Sequence, residues 1–170
     1  MFFAFSLDGT EFCVVLWGLL SRVTTYRRHL GINRANNTDG HYLPLNRGFD
    51  FSGLTIPFSN HWACDEKQIH MAAPNPSVCF LYRGQKMVQQ PIDHRNLSMN
   101  FARDGVEFIN AHAHGPKPFF LYYAFAHMHV NMFNNEKYEG SSVNGVWGQG
   151  MNEMQWEVGQ VLDAIRTQAI

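Results

Sequence analysis

The sequence predicts an α/β protein, and three stretches predict it. Phe119 to Ala126 is an apolar and aromatic run without alternation, the pattern of a strand buried on both faces. Upstream, Leu97, Phe101, Phe108 and Ile109 fall near one face of a helix that leads directly into that run. Downstream, Met151, Met154, Val158, Val161, Leu162 and Ile165 recur at three- and four-residue steps, a helical stripe over Met151 to Gln168 that needs a sheet to lie on. A helix entering a buried strand is half of a βαβ unit.

Each boundary has a local cause. Asn96 is a good N-cap for the first helix, and His114-Gly115-Pro116 stops it. Pro116 and Pro118 punctuate the start of the strand, where proline is tolerated. Asn131 to Gly150 is polar and glycine-bearing and reads as irregular before the second helix. Among the first 25 residues, Phe12 to Leu20 is an apolar run too short to span a bilayer, where roughly 20 residues are needed. It reads as a buried strand or as sequence foreign to the fold, with the core of a secretory signal as the weaker alternative because Asp8 and Glu11 and no Lys or Arg precede it. Residues 1–25 therefore stand as an uncertain segment ahead of a domain over 26–170. Asn33 to Gly40 are turn formers, which sets His29 just before a long surface loop. Gly48 permits a tight backbone before Phe49 and Phe51 pack. Phe51 to Val88 keeps no sustained period and reads as a long, locally braced excursion of the kind that carries function.

Composition narrows the class. The 170 residues suit one domain or part of a larger one, and 45% hydrophobic against 16% charged residues fits a globular interior. A net charge of −1 offers no basic field, which argues against nucleic acid as a partner. No stretch is long and apolar enough to predict a transmembrane segment.

Three cysteines, Cys13, Cys64 and Cys79, match no zinc pattern. Cys64 and Cys79 bracket a loop containing Pro74 and Pro76, and a disulfide between them would suit an oxidising compartment; unpaired thiols in a cytosolic protein are the alternative. The sequons at Asn36 and Asn96 point toward the oxidising side.

His127 and His129 follow the apolar run. With an extended backbone their side chains share one face roughly 7 Å apart. Strand carboxyl ends are where open α/β sheets place ligands, so the pair sits where such a fold does chemistry. The competing reading is a polar cap over the core.

Five motifs in order, Arg27-Arg-His-Leu-Gly, Leu43-Pro-Leu-Asn-Arg-Gly-Phe-Asp, Ile56-Pro-Phe-Ser, Lys117-Pro-Phe-Phe-Leu-Tyr-Tyr-Ala-Phe-Ala-His-Met-His and Gly148-Gln-Gly-Met-Asn-Glu-Met-Gln-Trp-Glu-Val-Gly, resemble the central part of the arylsulfatases. The likeness covers about Tyr26 to Ile170 and is nearest to arylsulfatase A and other animal lysosomal sulfatases, including the galactosamine-6-sulfatase and steroid sulfatase branches. It implies an alkaline-phosphatase-like α/β sandwich with a large central sheet, present here only in part. It also implies sulfuric ester hydrolysis with a sulfated small molecule or glycan as substrate, in a lysosomal or secreted setting. In that family a formylglycine made from cysteine attacks sulfur beside a calcium ion, basic residues neutralise the sulfate oxygens, and a histidine protonates the leaving oxygen.

The resemblance assigns roles residue by residue. His29 lies where the family's Gly-Lys-Trp-His-Leu-Gly places a histidine that touches the nucleophile. The lysine of that motif, which contacts the sulfate, is Arg27, a planar fork in place of a point charge. Ser59 resembles a serine that donates to the sulfate, and His129 resembles the leaving-group acid, with His127 a neighbour without an assigned role. Departures from the pattern are Asn131, where the family has proline, and Gln155, where it has aspartate. The nucleophile motif Cys-x-Pro-Ser-Arg, the N-terminal aspartate pair and the Asp-Asn pair of the calcium site do not occur in these residues. Cys79-Phe-Leu-Tyr-Arg83 shares only the cysteine-to-arginine spacing and follows the histidine motif instead of preceding it. Two further readings stand beside an active sulfatase: a catalytically inactive truncated paralogue that works by binding or without function, and a histidine zinc site of a related phosphodiesterase.

Overall fold

The structure, a computed structural model, describes residues 2–7, 10–17, 43–47, 49–56, 79–128 and 132–170. The chain divides into two compact units, one formed by residues 1–20 with 94–170 and the other by 21–93.

The first unit is built on a three-stranded mixed sheet. Strand β1 (Phe2–Leu7) pairs antiparallel with β2 (Thr10–Trp17), and β2 pairs in parallel with β6 (Phe120–Ala124) in the register Cys13 to Phe120 through Trp17 to Ala124. Helix α1 (Leu97–His112) precedes β6 in the chain, so β2, α1 and β6 complete the βαβ unit of which the sequence had shown half. The Phe12 to Leu20 run therefore supplies a strand as far as Trp17, and the segment over residues 1–25 that the sequence left uncertain contributes to this sheet.

Burial of β6 departs from expectation. Leu121 and Tyr123 point inward, whereas Phe120 and Tyr122 are 51% and 48% exposed. The unalternating run predicted burial on both faces, but the described elements cover only one. A large central sheet is likewise not seen among the described residues, which hold two sheets of three strands.

Helix α1 buries Leu97, Phe101, Phe108 and Ile109, as its periodicity predicts. Its cap does not work as expected. The Asn96 side chain makes no capping bond; its Oδ1 accepts from Asn135 Nδ2 at 3.3 Å, so it tethers a loop instead. Beyond the helix, Gly115 N–H donates to His112 O and the chain turns into the prolines.

Helix α2 (Gly145–Gln168) starts six residues before Met151, inside the stretch read as irregular. Gly148 and Gly150 serve close approach and do not break the helix. A Cβ at Gly148 would lie 2.0 Å from Ser142 Oγ, and one at Gly150 would lie 3.1 Å from the Phe133 carbonyl oxygen. The helix ends with Ala169 left-handed (φ 54°), its N–H on Arg166 O and the Ile170 N–H on Ile165 O, a Schellman closure. Helices α1 and α2 pack together, and Phe101, Ile109, Leu121, Phe125, Val161 and Ile165 form the apolar core of this unit.

The second unit holds a small antiparallel sheet of β3 (Leu54–Thr55), β4 (Leu81–Arg83) and β5 (Lys86–Gln89). The β4–β5 hairpin turns through Gly84 at φ +59°, a signal the sequence reading passed over inside its long excursion. Leu43, Cys79, Leu81 and Ile92 are buried here, and Gln85 Nε2 donates to Asn46 Oδ1 at 3.0 Å. Phe49 and Phe51, expected to pack, are 41% and 43% exposed.

Candidate functional site

The strand end of β6 is where the described residues gather polar chemistry. Beyond Ala124 the backbone leaves extended geometry, and Met128 is left-handed at φ 62°. The shared face expected of His127 and His129 required an extended backbone between them, and Met128 is not extended; His129 itself lies outside the described residues.

His127 is 2% exposed. Its Nε2 lies 2.7 Å from Ser98 Oγ, on the first turn of α1, and 3.6 Å from Glu153 Oε2, on α2. Its ring stacks on Phe133, with centroids 4.4 Å apart and planes 22° apart. Gly150 lies beside this ring: a Cβ there would be in ordinary contact with His127 Nδ1 at 3.6 Å, and the tighter approach, 3.1 Å, is to the Phe133 carbonyl oxygen. A buried histidine without partners would be costly, and here two helices provide them.

Glu153 and Glu157 stand one turn apart on α2 and are both 0% exposed. Glu153 Oε2 also accepts the Asn135 backbone N–H at 2.7 Å. Glu157 Oε1 accepts from the Tyr123 hydroxyl at 2.6 Å. Burial pushes the Glu157 carboxyl up to about 8; nearby Glu153 adds to the rise and the Tyr123 hydrogen bond opposes it. Tyr123 is itself raised well above the usual phenol range, by burial first and then by the Glu157 charge. The second oxygens, Glu153 Oε1 and Glu157 Oε2, and the Tyr138 hydroxyl are buried without a hydrogen-bond partner among the described residues.

The loop after β6 is held by Asn135. Its side-chain oxygen accepts from Lys137 N–H at 2.9 Å, which caps a 3-10 turn over Glu136–Tyr138, and its Nδ2 donates to the Arg95 carbonyl.

Of the sequence-predicted site residues, Arg27, His29, Ser59 and His129 lie outside the described residues, as do Cys64 and Asn36. Cys79 is disulfide-bonded and wholly buried, with the Ile92 N–H donating to its Sγ at 3.3 Å. A cysteine held this way is no free nucleophile, which agrees with reading the Cys79-to-Arg83 spacing as chance. Asn96 is exposed at the head of α1.

Ser98, Glu153 and Glu157 were missed by sequence reasoning. Ser98 registered only as the last residue of a sequon, although it shares a helix face with Phe101, Ala102 and Ile109. The two glutamates had a visible signal: Gly150, Glu153, Glu157, Val161 and Ala164 recur at three- and four-residue steps beside the apolar stripe.

No group of three or more His, Cys, Asp or Glu side chains suited to a metal ion occurs among the described residues. Glu153 and Glu157 do not fit calcium, which takes six or more oxygen ligands, since no third ligating side chain joins them among the described residues.

A parallel βαβ unit with a braced histidine at the carboxyl end of its strand defines an α/β protein of the kind that places ligands at strand ends. No family model matches the chain. It is 41% identical over 138 residues, 81% of its length, to an arylsulfatase of Hemicentrotus pulcherrimus. It is 32% identical over 90 residues (53% of the chain) to human steryl-sulfatase, and 28% identical over 145 residues (74% of the chain) to human arylsulfatase G. The chain belongs to the sulfatase family. It spans 24%, 15% and 27% of the length of these three relatives.

Proposed function

We propose that the chain is part of an arylsulfatase-type sulfuric ester hydrolase acting on a sulfated small molecule or glycan. The observation that carries this is the 41% identity to an arylsulfatase over most of the chain. In this reading Arg27 and Ser59 hold the sulfate oxygens, His29 contacts the nucleophile, and His129 protonates the leaving oxygen. The formylglycine nucleophile and the calcium ligands then come from parts of the protein that these residues do not span.

The reading extends to a lysosomal or secreted glycoprotein with a Cys64–Cys79 disulfide and glycans on Asn36 and Asn96. The bonded state of Cys79 and the exposure of Asn96 support it. No helix among the described residues is long and apolar enough to cross a membrane.

The test is sulfate release by the full-length natural protein from aryl and alkyl sulfates. We expect turnover of both, with His129→Ala losing more on esters of poor leaving groups because only those need the proton. Failure to release sulfate from any ester would favour the non-catalytic paralogue.

A further inference from the structure

We propose that Glu153 is a positioning residue that closes the base of the segment carrying His129, with Ser98 as its auxiliary. The inference rests on the sulfatase reading above and concerns residues to which that reading gives no part.

The described residues on either side of His129 are fastened to each other. His127, before it, and Phe133, after it, stack ring on ring. A single carboxyl oxygen, Glu153 Oε2, reaches both sides, lying 3.6 Å from His127 Nε2 and 2.7 Å from the Asn135 backbone nitrogen. Ser98 Oγ adds a second contact to the same His127 nitrogen from the other helix. All of this is dry: Glu153, Ser98 and His127 are between 0% and 2% exposed. Two helices therefore converge on one imidazole two residues from the proposed acid. A catalytic group must be held within a fraction of an ångström of its productive position, and supporting hydrogen bonds on rigid elements do that. Placing a carboxyl group on the interior side of α2 costs desolvation, and the two contacts at the base of this segment are what it obtains there.

The experiment compares kcat/KM across aryl sulfates whose phenols differ in acidity, using the full-length natural protein and its Glu153→Gln and Ser98→Ala variants, normalised to folded protein by circular dichroism. Glu153→Gln is expected to lose about 10-fold on the poorest leaving group, in line with the effect of supporting residues elsewhere, and less than about twofold on the best. Ser98→Ala should lose less in the same direction, read against Asn96→Gln, which removes the same sequon without touching His127, and decides the matter if the glutamine variant does not fold. An equal loss on every ester, or none, overturns the proposal and leaves Glu153 a packing residue. Absence of sulfate release by the unsubstituted protein overturns the sulfatase function itself and this inference with it.

Discussion

Helices α1 and α2 pack on each other, yet they bury different chemistry. The inward face of α1 is mainly apolar, with Leu97, Phe101, Ala102, Phe108 and Ile109, and its polar members are Ser98 and Asp104. The inward face of α2 carries two fully buried glutamates before it becomes apolar at Val161, Ala164 and Ile165. One helix is held by hydrophobic transfer, and half of the other is held by polar contacts that engage one oxygen of each glutamate. The first kind of stabilisation is indifferent to pH and the second is not.

The widest separation between the two should come from Ile109→Ala. This side chain is wholly buried, and its truncation removes transfer energy and leaves a cavity, a loss of about 3 kcal/mol that should be equal at pH 5 and pH 8 in denaturant titrations. Unequal losses would show that the apolar face of α1 is coupled to the glutamates.

Next comes the pH dependence of α2. Glu157 keeps its proton up to about pH 8 when folded, against an ordinary value of 4.5. Between those values the folded state binds more protons than the unfolded one. Its contribution is complete below about 4.5 and falls as pH rises toward 8 and through it. The slope approaches about 1 kcal/mol per pH unit, roughly 2 kcal/mol between pH 6 and pH 8. Thermal melts across this range should show the decline, and Glu157→Gln should flatten it. An unchanged slope in that variant would assign the titration to another group.

A smaller effect is expected from Tyr123→Phe, which deprives Glu157 Oε1 of its donor at 2.6 Å. The expected cost is about 1 kcal/mol at pH 5, by the same melts. No loss would mean that the hydroxyl contributes nothing to holding the polar half of α2.

What the sequence revealed follows the same division. The apolar face of α1 was legible because hydrophobic period and burial coincide there. The stripe read for α2 lay one residue off the buried line, and Met151, Met154, Val158 and Leu162 are only half-buried, because a hydrophobicity pattern does not count Glu153 and Glu157 as interior. The early start of α2 was hidden by Gly148 and Gly150, whose value lies in contacts with Ser142 and Phe133 that only the fold creates. The inward side of β6 was legible and its exposed side was not, since a run of apolar residues does not say what covers it. Of the candidate site, the histidine-bearing strand end could be read directly. Its bracing by Ser98 and Glu153 could not, because the contacts span 29 and 26 positions of chain.

Gly105 sits in the middle of α1, where glycine costs roughly 1 kcal/mol relative to alanine. Filling that position is the obvious route to a sturdier helix, and here it should fail. An added Cβ would come within 2.7 Å of Tyr123 Cε2, on the ring whose hydroxyl reaches Glu157. The local weakness of one helix is thus the clearance that the polar half of the other requires. Any programme that optimises α1 by its own propensities would loosen α2, so residues 105, 123 and 157 have to be varied together.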